Sequence, residues 1–176
     1  GRRSANAAIE DNRGIPPMEF SEQEWLDRER RKIQDLLDRS TGESVAKLRS
    51  EMGVTMDRHL GVFRNEAGMA EALAAIQTLQ DRSEKLMVQD KGKVFNTNLI
   101  FALELQMMLD CAETIAIGAL DRKESRGAHS RLDYPKRNDV DWLKHILLYK
   151  GKRPDGVRKE YLPVVVTQWQ PAERKY

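Results

Sequence analysis

The feature that most constrains this chain is a long apolar run from Leu99 to Leu120, which contains no proline and a single glycine, Gly118. Its apolar residues cover most of the helical circumference, and a helix of that kind is buried on most sides. The run is long enough to span a membrane, but three acidic residues interrupt it, and burying several carboxylates in hydrocarbon is very unfavourable. The sequence therefore predicts the central helix of a soluble bundle.

Three further segments repeat apolar residues at helical spacing, over about residues 21–39, 44–60 and 66–88. The first begins at Ser21, which pairs with Glu24 in a predicted capping box, while Phe20 and Trp25 fit a hydrophobic staple around the same helix start. Short polar connections between such helices are typical of antiparallel bundles. The predicted fold class is mainly α: an antiparallel three- to four-helix bundle, followed by a loop-rich basic tail with at most a β-hairpin.

The small net charge of +2 hides an uneven distribution along the chain. Residues 122–176 carry 14 Lys and Arg against 7 Asp and Glu, so this tail is basic and the preceding part is acidic. A basic tail can bind nucleic acid. Here the cations are scattered among acidic, proline and apolar residues, and they do not alternate with aromatic residues as a stacking platform requires. We therefore predict that the tail docks on an acidic protein surface and binds no nucleic acid.

The single cysteine, Cys111, excludes an internal disulfide and any multi-cysteine metal site. Because it lies among apolar neighbours in the central helix, we predict a small buried core residue rather than a nucleophile. No signal peptide is visible. The chain starts without methionine and inside a predicted helix, Arg3–Asp11, and we expect it to be a piece of a longer polypeptide.

Few residues offer catalytic or metal chemistry. The sequence has no glycine-rich phosphate loop after a strand and no His-Glu-x-x-His motif. His59 and His145 are predicted to be structural, with His145 half-buried and bonded to the backbone. Asp110 and Glu113 share a helical face, but no further ligand has matching spacing, so no metal site is predicted.

The densest group of polar residues follows the central helix, between Glu124 and Arg131. The two arginines there can form forked bonds with a carboxylate or a phosphate, and Gly127 allows a tight turn. The alternative is a salt-bridged helix terminus that locks the tail in place. We assign a structural, domain-interface role to Glu124, Ser125, Arg126, Gly127, His129 and Arg131.

Several motifs together resemble the C-terminal part of the succinate dehydrogenase/fumarate reductase flavoprotein subunit. Those with the strongest likeness are Phe95–Leu99, Leu103–Gln106, Arg122–Arg131 and Asp133–Pro135. Further likeness lies in Gly61–Arg64, Trp142–His145, Tyr161–Val164 and Arg174–Tyr176. L-aspartate oxidase has a similar Glu-Ser-Arg-Gly-x-His motif, but the Trp142–His145 segment and the chain's ending favour the respiratory enzyme.

The resemblance implies a longer FAD-dependent oxidoreductase that interconverts succinate and fumarate and passes electrons to an iron–sulfur subunit and quinone. In that family an FAD-binding domain and a capping domain come first and carry the flavin-binding and catalytic residues. This chain would then comprise the end of a flavin-domain helix (residues 1–15), a helical bundle (16–121) and a tail that packs on the flavoprotein (122–176). By itself it would bind no FAD and no metal and have no activity.

The same resemblance implies a peripheral subunit that membrane anchor subunits attach indirectly to a membrane. In a bacterium or archaeon this is the cytoplasmic face of the inner membrane, and in a eukaryote it is the matrix side of the mitochondrial membrane. A hypothesis of a different class, drawn from the charge pattern alone, is a free-standing helical adaptor whose basic tail binds an acidic partner or RNA.

Overall fold

The structure is a computed structural model that describes residues 1–15, 21–151 and 156–172. It divides into two compact units, residues 1–35 and 36–176. Most of its regular structure is helical, as the sequence predicts. Within the described residues, every helix is too short or too polar to cross a membrane.

The first unit contains α1 (Arg2–Asp11) and most of α2 (Glu22–Asp38). No residue of α1 is buried. At the start of α2, the Ser21 hydroxyl accepts the Glu24 backbone N–H at 3.4 Å, which is half of the predicted capping box. Phe20 and Arg174–Tyr176 lie outside the described residues, so the staple and the C-terminal likeness have no structural description.

The second unit is built on three helices that pack against one another: α3 (Val45–Leu60), α4 (Glu66–Ser83) and α5 (Thr97–Asp121). Each begins at a side-chain cap, in which a backbone N–H of the first turn is bonded by Ser44, Asn65 or Asn96. The core lies between these helices. Its most enclosed apolar residues are Leu48, Met69, Ala72, Ile76, Leu86, Val88, Ala102, Leu105, Leu109 and Ala116.

Two short parallel strand pairs tie the helices together. Strand β1 (Glu43–Ser44) pairs with β3 (Leu86–Met87), and β2 (Phe63–Arg64) pairs with β4 (Ser130–Arg131). The first pair shortens α4, which ends at Ser83 and not near residue 88 as predicted. The Lys85 carbonyl accepts the Glu43 N–H at 2.8 Å, so it is bonded to β1 and not to a further turn of α4. Leu86 is therefore buried as a strand residue.

The central helix α5 is less covered than predicted. One stripe is buried, and it contains mainly small residues: Ala102, Leu105, Leu109, Ala112, Ala116 and Ala119. The stripe formed by Ile100, Met107, Cys111 and Ile115 is exposed. The prediction of a buried Cys111 was therefore wrong. Within the second unit α3 and α4 cover one side of α5, and the composition of a helix does not reveal how many neighbours it has.

The tail contains the short helix α6 (Asp139–Trp142) and an antiparallel pair, β5 (Lys144–Lys150) and β6 (Val157–Pro163). One face of this pair lies on α5: Lys150 forms an ion pair with Asp110, and Lys159 and Tyr161 bond the carboxylate of Asp121 at 2.5 and 2.7 Å. His145 belongs to the other face and is exposed, so the prediction of a half-buried histidine was wrong. The alternation of faces along a strand places it outward.

Candidate functional site

The Glu124–Arg131 segment begins where α5 ends. Arg122 leaves the helix in an extended conformation, and Glu124 is then fully buried two residues later. The chain turns back tightly between Arg126 and His129, whose backbones bond each other at 2.8 and 3.0 Å. Gly127 sits in this turn at φ +59°, a left-handed conformation that favours glycine.

The centre of the network is the Glu124 carboxylate. It accepts bonds from Arg122 Nη1 at 2.6 Å and from Arg126 Nε and Nη2 at 2.8 and 3.1 Å. It also accepts the backbone N–H of Asn138 at 2.8 Å. Burial alone would raise the pKa of Glu124, but the bonds from Arg126, Asn138 and Arg122 outweigh it, so the pKa of this carboxyl lies below its usual value. Glu124 is therefore held as a buried anion.

Arg131 is the second buried charge of the network, with 1% of its surface exposed. Its Nη1 donates to the carbonyls of Ala119, Leu120 and Arg122 at 3.1–3.3 Å, so the guanidinium caps the C-terminal end of α5. A cation at this end also complements the helix dipole. Asp133 binds the same guanidinium through two bonds of 2.6 and 2.7 Å.

The partners of Arg131 extend to the start of α4. The bond with Arg131 lowers the pKa of Asp133 to about 2, and Asp133 also accepts the backbone N–H of Glu66 at 2.9 Å. Glu66 itself lies 3.5 Å from the Arg131 guanidinium. The cap of α5 is thus also tied to the first residue of α4.

His129 connects the segment to β2. Its Nδ1 lies 2.9 Å from Arg64 Nη1, and its Nε2 lies 3.3 Å from the Arg122 carbonyl. Because arginine is only a donor, Nδ1 accepts and Nε2 donates, which assigns a neutral ring. Burial lowers the pKa of His129, and the positive charges of Arg64, Arg131 and Arg122 lower it further. His129 is therefore a neutral bridge between the Arg64 side chain and the end of α5.

Ser125 and Arg126 join the segment to α6 and the loop before it. The Ser125 hydroxyl donates to the Tyr134 carbonyl and accepts the Arg131 N–H, both at 2.8 Å. Arg126 also forms an ion pair with Asp139, the first residue of α6. Five of the six residues assigned from the sequence are thus joined by hydrogen bonds and ion pairs, and the sixth, Gly127, forms the turn between Arg126 and His129.

The sequence did not identify five further members of this network: Arg64, Glu66, Arg122, Asp133 and Asp139. Arg122 lies two residues from Glu124, and Asp133 lies two residues from Arg131. Opposite charges at this spacing were the one sequence signal that indicated these two members. Arg64 and Glu66 lie more than sixty residues upstream and reach the site only through the β2–β4 pair and the start of α4.

The network is closed on itself. Among the described residues, no buried side-chain nitrogen or oxygen lacks a hydrogen-bond partner, and no three His, Cys, Asp or Glu residues form a group able to hold a metal ion. Its cations already face carboxylates and carbonyls. Its hydrogen bonds and ion pairs connect the end of α5 with α4, β4 and α6.

The helical unit and its ion-pair network define a mainly α-helical domain. The model of the family "Fumarate reductase flavoprotein C-term" matches residues 49–176, and the chain belongs to this family. Relatives include the fumarate reductase flavoprotein subunit of Haemophilus influenzae, 44% identical over 134 residues, which are 76% of this chain and 22% of the relative.

Two further matches extend the likeness. The succinate dehydrogenase flavoprotein subunit of Rickettsia conorii is 37% identical over 95% of this chain and 28% of its own length. The solved structure of Escherichia coli quinol fumarate reductase is 36% identical, with a TM-score of 0.79 over 88% of this chain and 27% of that chain. The chain thus spans about a quarter of the length of the proteins it matches.

Proposed function

We propose that this chain is the C-terminal part of a flavoprotein subunit that interconverts succinate and fumarate with FAD. The preceding part of that polypeptide would hold the flavin and the substrate, and this part would contribute no catalytic or flavin-binding residue. The family match over residues 49–176 supports the proposal, as do relatives named as fumarate reductase or succinate dehydrogenase subunits. These relatives favour the respiratory enzyme over L-aspartate oxidase.

The role of this part would be to position the flavin domain. We assign residues 1–15 to the end of a flavin-domain helix, 16–121 to the helical bundle and 122–176 to the tail that packs on the flavoprotein. The observation that carries the role is the Glu124 carboxylate, which is buried and bonded by two arginines and a backbone N–H. Such a closed network holds surrounding segments in register, whereas a substrate site needs charges that are free to bind.

The same proposal implies which subunits the flavoprotein binds and on which side of the membrane it lies. The subunit would pass electrons to an iron–sulfur subunit and be attached to a membrane through anchor subunits, on the cytoplasmic face in a prokaryote or the matrix side in a mitochondrion. An RNA-binding adaptor is disfavoured because cations of the β5–β6 pair already face carboxylates: Lys150 faces Asp110 and Lys159 faces Asp121.

The test is Arg126→Ala in the full-length flavoprotein. The substitution leaves Glu124 with one arginine and Asp139 with Arg137, and breaking a partly buried pair costs up to about 3 kcal/mol. We expect the melting temperature and the flavin content to fall together, while turnover per bound flavin stays within about twofold of the unchanged protein.

Lys150→Ala is the matched control, because it removes an ion pair that is exposed on the surface. It should leave flavin content and melting temperature unchanged. If Arg126→Ala instead keeps full flavin and stability while turnover falls about a hundredfold, the loss of about 2.7 kcal/mol lies in the transition state. The network would then be catalytic and the proposed role would be wrong.

A further inference from the structure

The exposed stripe of α5 and the facing side of α3 form an open apolar groove of about 430 Å³. Sulfur-containing side chains provide most of its wall, and their soft, adaptable shape suits contact with another polypeptide. The groove is lined chiefly by Met52 and Met56 of α3 and by Met107, Met108, Cys111 and Ile115 of α5.

The exposure of this wall is unusual for a central helix. Met107 is 60% exposed and Ile115 is 49% exposed, although both lie on the most apolar helix of the chain. Contiguous exposed apolar surface marks an interaction site. A small ligand is disfavoured, because ligand pockets place several polar groups around the ligand and this groove offers one, the carboxylate of Glu104.

Glu104 defines the charge of the occupant. Among the described residues that line the groove it is the only charged one, and no described residue forms an ion pair or hydrogen bond with it. A second copy of this chain is a poor occupant, because a two-fold contact along α5 would bring a second groove of the same composition, with no cation to face either carboxylate. The occupant must supply both apolar side chains and a cation.

We propose that the groove is the seat of a segment of the preceding, flavin-binding part of the same polypeptide, which inserts apolar side chains between α3 and α5 and places a Lys or Arg against Glu104. This inference rests on the proposed function. The chain spans 22–30% of the length of its relatives, so most of such a polypeptide lies outside this structure and is available to cover α5. The groove lies along the middle of α5, and the Glu124 network lies at the C-terminal end of the same helix.

The alkylation rate of the Cys111 thiol reports directly whether the groove is covered. The full-length flavoprotein is prepared alone, at a dilution where light scattering shows a monomer, in a variant that also carries Val54→Cys. Val54 is 63% exposed on α3 but does not line the groove, so it is a matched control. Both thiols are alkylated with iodoacetamide under native conditions, and peptide mass spectrometry measures the two rates.

We expect Cys111 to react at least tenfold more slowly than the thiol at position 54. Equal rates, fast or slow, would show that nothing specific covers the groove and overturn the proposal. Protection of Cys111 that appears only at concentrations where the protein dimerises, or only with a second subunit present, would assign the groove to another chain and overturn it too.

A photo-crosslinking residue at position 107 identifies the occupant. We expect the cross-linked peptide to come from the part of the polypeptide that precedes this chain. A cross-link to a second copy, or a protected Cys111 without any peptide cross-link, contradicts the proposal. Flavin content and turnover are measured on the same unlabelled sample, so a protein that holds no flavin disproves the proposed function, while the labelling rates still decide the occupancy of the groove.

Discussion

At the scale of single residues, the strongest determinants of the stability of the second unit, residues 36–176, are two buried charges of opposite sign, Glu124 and Arg131. A buried charge is tolerated only when its hydrogen bonds replace those lost to water: Glu124 accepts such bonds from several directions, and Arg131 donates them in several directions. The ion pair of Asp110 with Lys150 has the same chemistry but lies on the surface. Position, and not the pairing of charges as such, decides how much each contributes.

We predict that Glu124→Gln lowers the free energy of unfolding at pH 7 by about 3 kcal/mol, because two arginines lose their buried anion. Asp110→Asn, the control, should change it by less than about 1 kcal/mol. Urea denaturation followed by circular dichroism measures both values. Equal effects of the two substitutions would contradict the burial argument.

The pH dependence of the same pair is part of this prediction. Because the pKa of Glu124 in the folded protein lies below its ordinary value of 4.5, its stabilisation is present above pH 4.5 and is lost as the pH falls through the folded pKa. The difference between Glu124→Gln and the unchanged protein should therefore shrink below pH 4.5. A difference that stays constant down to pH 2 would exclude the buried anion.

At the scale of elements, two glycines differ in whether a tertiary contact requires them. Gly53 lies inside α3, and a Cβ there would meet nothing within 4 Å. No close contact therefore requires glycine at this position, and Gly53 only weakens the helix. Gly42 lies beside β3, where a Cβ would approach the Lys85 carbonyl oxygen to 2.2 Å. There the close approach of two backbones requires glycine.

We predict that Gly53→Ala raises the free energy of unfolding by about 0.5–1 kcal/mol, since alanine lowers the entropy lost on helix formation. Gly42→Ala should lower it by more than 1 kcal/mol, because the β1–β3 pair must move apart. Thermal unfolding of the two variants measures both signs. Destabilisation by Gly53→Ala would mean that a neighbour does approach α3 at this point.

At the scale of the whole molecule, the tail and the helices of residues 36–176 form one compact unit. The tail contributes the Arg131 cap of α5, the strand β4 that pairs with β2, and the lysines that face Asp110 and Asp121. The helices in turn cover the inner face of the β5–β6 pair. Neither part keeps its buried polar groups satisfied without the other.

We therefore predict that residues 36–176 unfold in one cooperative transition, and that ending the chain at Asp121 lowers the melting temperature by about 10 °C or more. The loss of the buried Arg131 contacts, about 3–5 kcal/mol, accounts for a shift of this size. Circular dichroism melts of the two proteins test it. An unchanged melting temperature after truncation would show that the helices are stable without the tail.

The local sequence was sufficient for the helices and for the motif. Capping at Ser21 and the apolar spacing of the other segments place the helix starts close to where they are found, since both signals act between residues three or four positions apart. The cluster of charges from Glu124 to Arg131 was visible for the same reason. Its likeness to a known family also agrees with the family match.

Only the tertiary structure decided which residues are covered and which distant residues meet. Cys111 and His145 are exposed although their neighbours are apolar, because burial depends on how many elements pack against a helix or strand and not on its own composition. Leu86 became a strand residue because β1 lay beside it. Arg64 joined the network of His129 only through the β2–β4 pair. These outcomes arise from contacts between residues far apart in the chain, which local periodicity does not encode.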